Sequence, residues 1–169
     1  GLAMRDLGCE VAVTSSTQAG QIPGLTVYPM IKSWGWGSWG ALLDLVRRER
    51  PDVVHIQYQA AAYGLHPAVN LLPNRLRLRP NRPIVLTTFH DLKFPYLFPK
   101  AGPLRWRAVL ALAHDSDACV ITNPDDWLRL ANTGLTETLH PIPIVRAPAR
   151  ATRSTSTSRG ARTSSTTST

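Results

Sequence analysis

Three short runs of branched aliphatic residues constrain this chain more than anything else in it. Asp52-Val-Val-His-Ile-Gln-Tyr58, Pro83-Ile-Val-Leu-Thr-Thr-Phe89 and Asp117-Ala-Cys-Val-Ile-Thr122 are each the length of one strand and too short for an ordinary helix. The segments between them carry helix signals. Ser38 stands where a helix cap belongs, ahead of Trp39, Leu42, Leu43 and Val46 at helical spacing. Arg47, Arg48 and Arg50 suit the negative end of that helix, and Pro51 stops it. Gly102-Pro103 opens another helix, with Leu104, Val109, Leu110 and Ala113 as its expected inner face. Asn123 caps a third, with Pro124 in its first position, Asp125 and Asp126 in its first turn, and Gly134 to end it in a left-handed conformation.

Weaker elements fill the remainder. Glu10–Ser15 and Leu25–Pro29 read as short strands, a helical segment lies between Leu65 and Leu78 around Pro67 and Pro73, and Leu139–Val145 reads as a last strand. Pro141 and Pro143 remove ladder donors from that strand, which favours an edge position. Strands that alternate with helices predict an α/β domain, with a mostly parallel sheet and helices on both faces. The run from Asp52 to Tyr58 is expected to be covered on both sides.

Composition narrows the function classes. The formal net charge of +8 suggests a polyanion partner until the charges are located. Five arginines (Arg146, Arg150, Arg153, Arg159 and Arg162) follow Val145 with no acidic residue among them, which leaves 14 basic and 11 acidic residues in the rest. That part is only mildly basic, so no nucleic-acid partner is expected. From Thr152 onward 13 of 18 residues are serine or threonine, too polar to offset the entropy of ordering them. Residues 146–169 are therefore expected to be a disordered tail, either natural or the translation of a shifted reading frame. Cys9 and Cys119 show no metal-ligand spacing and read as buried free thiols. No metal site is expected, and His55 and His66 read as structural. No apolar run is long enough to span a bilayer, and a cytoplasmic location is the expectation.

In open parallel sheets the reactive groups gather at the carboxyl ends of the strands. His55 falls inside its strand, whereas Gln57, Tyr58, His90, Asp91 and Asn123 fall at or beyond strand ends. Thr87-Thr-Phe-His-Asp91 is the sharpest candidate. A histidine there serves as a base or holds a hydroxyl, with Asp91 to orient it; equally, His90 ties down the next loop and Asp91 caps a turn. No Gly-x-Ser-x-Gly elbow and no phosphate-binding glycine pattern accompanies it. The following Lys93–Gly102 stretch either lines a cleft, with Lys93 or Lys100 meeting a charged group, or packs Phe94, Tyr96 and Phe98 over the sheet. Trp34, Trp36 and Trp39 lie in a glycine-rich stretch. They either stack on a sugar ring or a membrane interface, or place Trp39 in the helix core with the other two over a sheet edge.

Taken together these motifs resemble the N-terminal domain of the retaining two-domain GT-B glycosyltransferases (glycosyl transferase group 1, subfamily 4-like), which include glycogen synthases and many bacterial mannosyl- and glucosyltransferases. Gly8-Cys-Glu-Val resembles that family's Gly-His-Glu-Val, with Cys9 in place of the usual histidine. Arg50-Pro-Asp-Val-Val-His55, Thr87–Asp91 and Ser116-Asp-Ala-Cys-Val-Ile-Thr-Asn123 resemble its next three motifs. Leu139-His-Pro-Ile-Pro-Ile144 resembles the link into its second domain, except that Val145 replaces a glycine.

The resemblance implies a three-layer α/β/α Rossmann-like domain over residues 1–145, incomplete because its first strand and glycine-rich loop are missing. It implies transfer of a sugar from a nucleotide-sugar donor to an acceptor hydroxyl with retention, and no cofactor. The acceptor is a sugar, lipid or polysaccharide, and peripheral contact of the intact enzyme with the inner membrane face is compatible with it. His90 matches the histidine near the transferring sugar; Tyr58, Asp91 and Lys93 are acceptor-side candidates. The donor-binding C-terminal domain has no counterpart here, so the chain alone is expected to be inactive. Two alternatives are a fragment of another Rossmann-like sugar-nucleotide enzyme and a noncatalytic carbohydrate-binding or assembly module.

Overall fold

Parallel strands and connecting helices form as the alternation predicts, and the computed structural model describes residues 1–92 and 102–142. After a short helix α1 (Leu2–Asp6) come β1 (Ala12–Ser16), β2 (Thr26–Ile31), α2 (Ser38–Glu49) and β3 (Val53–Gln59). Two short 3-10 turns lead into α3 (Leu72–Arg77), followed by β4 (Ile84–Asp91), α4 (Gly102–Asp115), β5 (Ala118–Ile121), α5 (Pro124–Ala131) and β6 (Leu139–Pro141).

The strands make two separate parallel sheets, β1-β2 and β3-β4-β5-β6. This is an α/β architecture consistent with an incomplete Rossmann-like fold. Among the described residues β1 pairs only with β2, and β3 pairs only with β4. β6 lies at the far edge of its sheet, where Pro141 costs no ladder bond on its open side.

One face of the four-stranded sheet carries the core. Ile56, Tyr58, Val85, Phe89, Cys119 and Ile121 alternate onto it and pack with Leu42 of α2, Leu72 and Leu76 of α3, Val109, Leu112 and Ala113 of α4, and Leu130 of α5. Phe89, Leu76 and Leu112 are completely buried; truncating such a side chain to alanine costs about 2–5 kcal/mol.

The other face differs from expectation. Val53, His55 and Gln57 on β3 are exposed, so this strand is covered on one side only. A β-branched run reports a preference for extended backbone, and that preference holds whether one face or both are packed.

Local signals hold at some helix ends and not at others. Asn123 caps α5 as expected, its Oδ1 accepting from the Asp126 amide at 2.8 Å, with Pro124 in the first turn. Gly134 takes φ +86° just past that helix. Ser38 is not a cap. It is the first helical residue, and its hydroxyl donates to the Gly35 carbonyl at 2.8 Å. Arg50 closes α2 instead, in a left-handed conformation with φ 46°. Leu104 is 71% exposed rather than inward, and Leu112 takes the inner position. Cys119 is buried as expected but Cys9 is exposed, because no strand forms around it. Trp39 packs at the edge of the core, with its indole N–H donating to the Ala68 carbonyl. Trp34 and Trp36 meet Tyr63 and His66 edge-on, on the loop after β3.

Candidate functional site

The carboxyl ends of β3 and β4 bring together the histidine and glutamine that the sequence placed there. Parallel register sets Gln57 opposite Thr88 and Tyr58 opposite Phe89; it then slips, so that Gln59 faces Asp91 and His90 is the additional residue. Such a bulge bends a strand and re-aims its side chains. Alternation puts His55 and Gln57 of β3 on the same open face as Thr88 and His90 of β4.

The four side chains are in continuous contact. His55 Nε2 lies 2.8 Å from Thr88 Oγ1, and Gln57 Nε2 lies over the His55 ring, 2.9 Å from its Nε2 and 3.3 Å from its Nδ1. Gln57 Oε1 lies 2.7 Å from His90 Nε2. Because an amide oxygen only accepts, His90 Nε2 is the donor in that contact. Although His55 is exposed as a residue, its Nε2 edge rests on Thr88. Partial burial holds this imidazole below its ordinary pKa, and the positive amino terminus and His90 add to the effect.

The backbone beneath His90 is fixed from β5 and α5. Thr122 donates through its hydroxyl to the Phe89 and His90 carbonyls at 3.0 and 3.3 Å, and its amide donates to the Phe89 carbonyl. Asp126, 1% exposed, accepts from the Leu92 amide at 3.0 Å and from the Asn123 side-chain amide. The Asp126 amide in turn donates to Asn123 Oδ1, which gives the turn after β5 a two-way clamp.

The remaining predicted residues fall in three places. Asp91 is exposed as the last residue of β4, beside His90, and has interactions of its own. Tyr58 points to the opposite face and is 4% exposed. Its hydroxyl accepts from the Asn70 side-chain amide at 3.0 Å, and its ring stacks on Tyr63 at 6.0 Å. Burial raises the Tyr58 pKa and pushes Tyr63 up to about 12, so both hydroxyls stay protonated. The two tyrosines line a cavity of about 450 Å³ with Trp36, His66, Leu71 and Ala108. The sheet separates that cavity from the Gln57–His90 pair. Lys93 and the aromatic stretch after it lie outside the described residues.

His66 accepts the Ala68 amide on Nδ1 at 3.1 Å. His55 is not an isolated structural histidine but one end of the chain that reaches His90. The signal for it was the pair of alternations His55-x-Gln57 and Thr88-x-His90, which only an inter-strand register connects. Among the described residues no group of three or more histidine, cysteine or acidic side chains is placed to hold a metal ion. No helix among them is long and apolar enough to cross a membrane.

A family model described as a glycosyl transferase 4-like domain matches residues 2–144, nearly everything before the Ser/Thr/Arg tail. The chain belongs to that glycosyltransferase family. The match agrees with the resemblance carried by the Arg50–His55 and Thr87–Asp91 motifs, and covers α1 through β6. No curated protein and no solved structure gives a match.

Proposed function

We propose that this chain is the acceptor-side domain of an enzyme that transfers a sugar from a nucleotide-sugar to an acceptor hydroxyl, with retention of anomeric configuration. His90 stands at the transferring sugar in this reading. Asp91 and Lys93 meet the acceptor, and Tyr58 packs the end of β3 on the opposite face. The family match carries the reading, and the position of His90 at the carboxyl edge of a parallel sheet supports it.

The chemistry suits a polar transfer. A histidine whose Nε2 is occupied by Gln57 retains Nδ1 for a substrate hydroxyl. Donor binding belongs to a second domain in this reading, so the chain by itself binds acceptor and does not turn over. Incubation with a panel of nucleotide-sugars and of glycoside or lipid-linked acceptors, read by mass spectrometry, tests this. The expected result is no transferred sugar, together with acceptor-induced shifts of the His90 and Asp91 resonances. Robust turnover by the chain alone would sink the acceptor-domain reading. Binding of nucleotide-sugars with no response to any acceptor would sink it too.

A further inference from the structure

The cavity that Tyr58 and Tyr63 line lies on the other side of the sheet from His90 and has a chemistry of its own. Its apolar walls are Trp36, Leu65, Leu71, Leu104, Ala108 and Ala111. The volume of about 450 Å³ lies within the roughly 300–1,000 Å³ usual for small-molecule sites. Buried Tyr58 and Asn70 form the inner end, and exposed Trp36 and Leu104 the open one.

The neutral polar side chains along these walls are engaged within the protein. Tyr58 accepts from Asn70, Tyr63 donates to the Gln57 carbonyl, and His66 Nδ1 accepts the Ala68 amide. A sugar, with a hydroxyl on nearly every carbon, would leave most of them unpaired here. The charged groups are all of one sign. Arg105 and Arg107 of α4 line the cavity, and among the described residues that line it none is acidic. α4 also starts with no acid in its first turn, whereas α5 starts with Asp125 and Asp126. Arg105 therefore adds its charge to the positive end of the helix dipole, a combination that favours an anion. Burial raises the Tyr58 pKa and the Arg105 charge opposes that rise, which puts the guanidinium within electrostatic reach of the inner end.

We propose that this cavity binds a small anionic amphiphile, its apolar chain against Leu71, Ala108 and Ala111 and its carboxylate or phosphate at Arg105 and Arg107. The site is separate from the His90 edge, and it stands whether or not the chain serves as an acceptor domain.

The test titrates decanoate and decyl phosphate, each below its micellar concentration, into the full chain while NMR follows the Ala108 and Ala111 methyl groups. Decanol, decyltrimethylammonium and maltose are the comparisons. Both anions are expected to shift both methyls saturably and to bind about tenfold more tightly than decanol, the factor that a hydrogen bond to a charged group contributes. Arg105→Gln combined with Arg107→Gln should remove that preference and leave decanol binding in place. Ala108→Phe fills the space and should abolish the saturable Ala111 shift for every ligand. Far-UV circular dichroism checks each fold, and if Ala108→Phe does not fold, the arginine variant decides. Equal affinity for anion, alcohol and cation would overturn the proposal. So would an anion preference that survives the arginine variant, or shifts produced by maltose in place of the amphiphiles. No saturable shift with either anion would overturn it as well; a response only to phosphatidylglycerol vesicles would then assign this face to a membrane.

Discussion

Removing the Asp117 carboxylate tests how the β4–β5 junction is held. Oδ2 of Asp117 accepts the Val85 amide at 2.8 Å, and the two carboxylate oxygens meet the Arg82 guanidinium at 2.7 and 2.8 Å. The Asp117 amide donates in turn to the Val85 carbonyl at 2.8 Å. Val85 is fully buried, so Asp117→Ala leaves its N–H without an acceptor, a loss of about 1–3 kcal/mol. The ion pair adds no more than about 1 kcal/mol, because the Arg82 and Asp117 side chains are 35% and 29% exposed and water screens them. The expected total is about 1–4 kcal/mol for Asp117→Ala. Asp117→Asn keeps an accepting oxygen and should lose only about 1 kcal/mol.

The same carboxylate gives the difference a pH dependence. The Arg82 hydrogen bond, helped by the Val85 amide, lowers the Asp117 pKa in the folded chain. Its contribution is therefore complete above the ordinary carboxylate range, about pH 4, and disappears as pH falls through the lower folded value. Urea unfolding followed by tryptophan fluorescence at pH 7 and pH 3 measures both effects, as shifts in midpoint at constant slope. The gap between the native chain and Asp117→Asn should narrow at the lower pH. If Asp117→Asn destabilises as much as Asp117→Ala, or if the gap widens in acid, the backbone acceptor is not what the carboxylate contributes.

Two further predictions concern the buried face. Ser116 donates to the Leu112 carbonyl at 2.7 Å and accepts from the buried Thr87 hydroxyl at 2.8 Å, so Ser116→Ala should cost about 1–3 kcal/mol. Adding Thr87→Val removes the stranded donor, and a double-mutant cycle should show a cost smaller than the sum; strict additivity would refute the pairing. The two cysteines should separate cleanly in a thiol-labelling experiment. Cys9 is exposed, whereas burial pushes the Cys119 thiol up to about 12, so one equivalent should react in the native chain and the second only in denaturant. Equal rates for both would contradict the burial of Cys119.

Strands were more legible in this sequence than their surroundings. Val53-Val54, Ile84-Val-Leu86 and Cys119-Val-Ile121 mark extended backbone wherever they occur, and all three form strands. The same residues say nothing about what covers them, which is why the open face of β3 was missed. Helix caps divided by mechanism. Asn123 sits before a proline and two acids, a combination with one good geometry, whereas Ser38 follows Trp-Gly-Trp-Gly, where several start points are equally available.

His90 was legible because it ends a strand. Its attachment to Gln57 was not, since those two residues are 33 positions apart and meet only through the register of β3 on β4 and the slip at its end. Tyr58 shows the opposite failure. Counting along the strand placed it near the rim, but alternation turned it onto the packed face.

The clamp made by Thr122 and Asp126 has a consequence for how this part of the protein can change. His90 is tied through its own carbonyl to Thr122, and the chain is tied again two residues later, at the Leu92 amide. Both anchors belong to the turn that starts α5, a rigid element on the neighbouring strand. Whatever follows Leu92 therefore departs from a fixed post. The imidazole of His90 is placed by a turn more than thirty residues further along the chain as much as by its own strand.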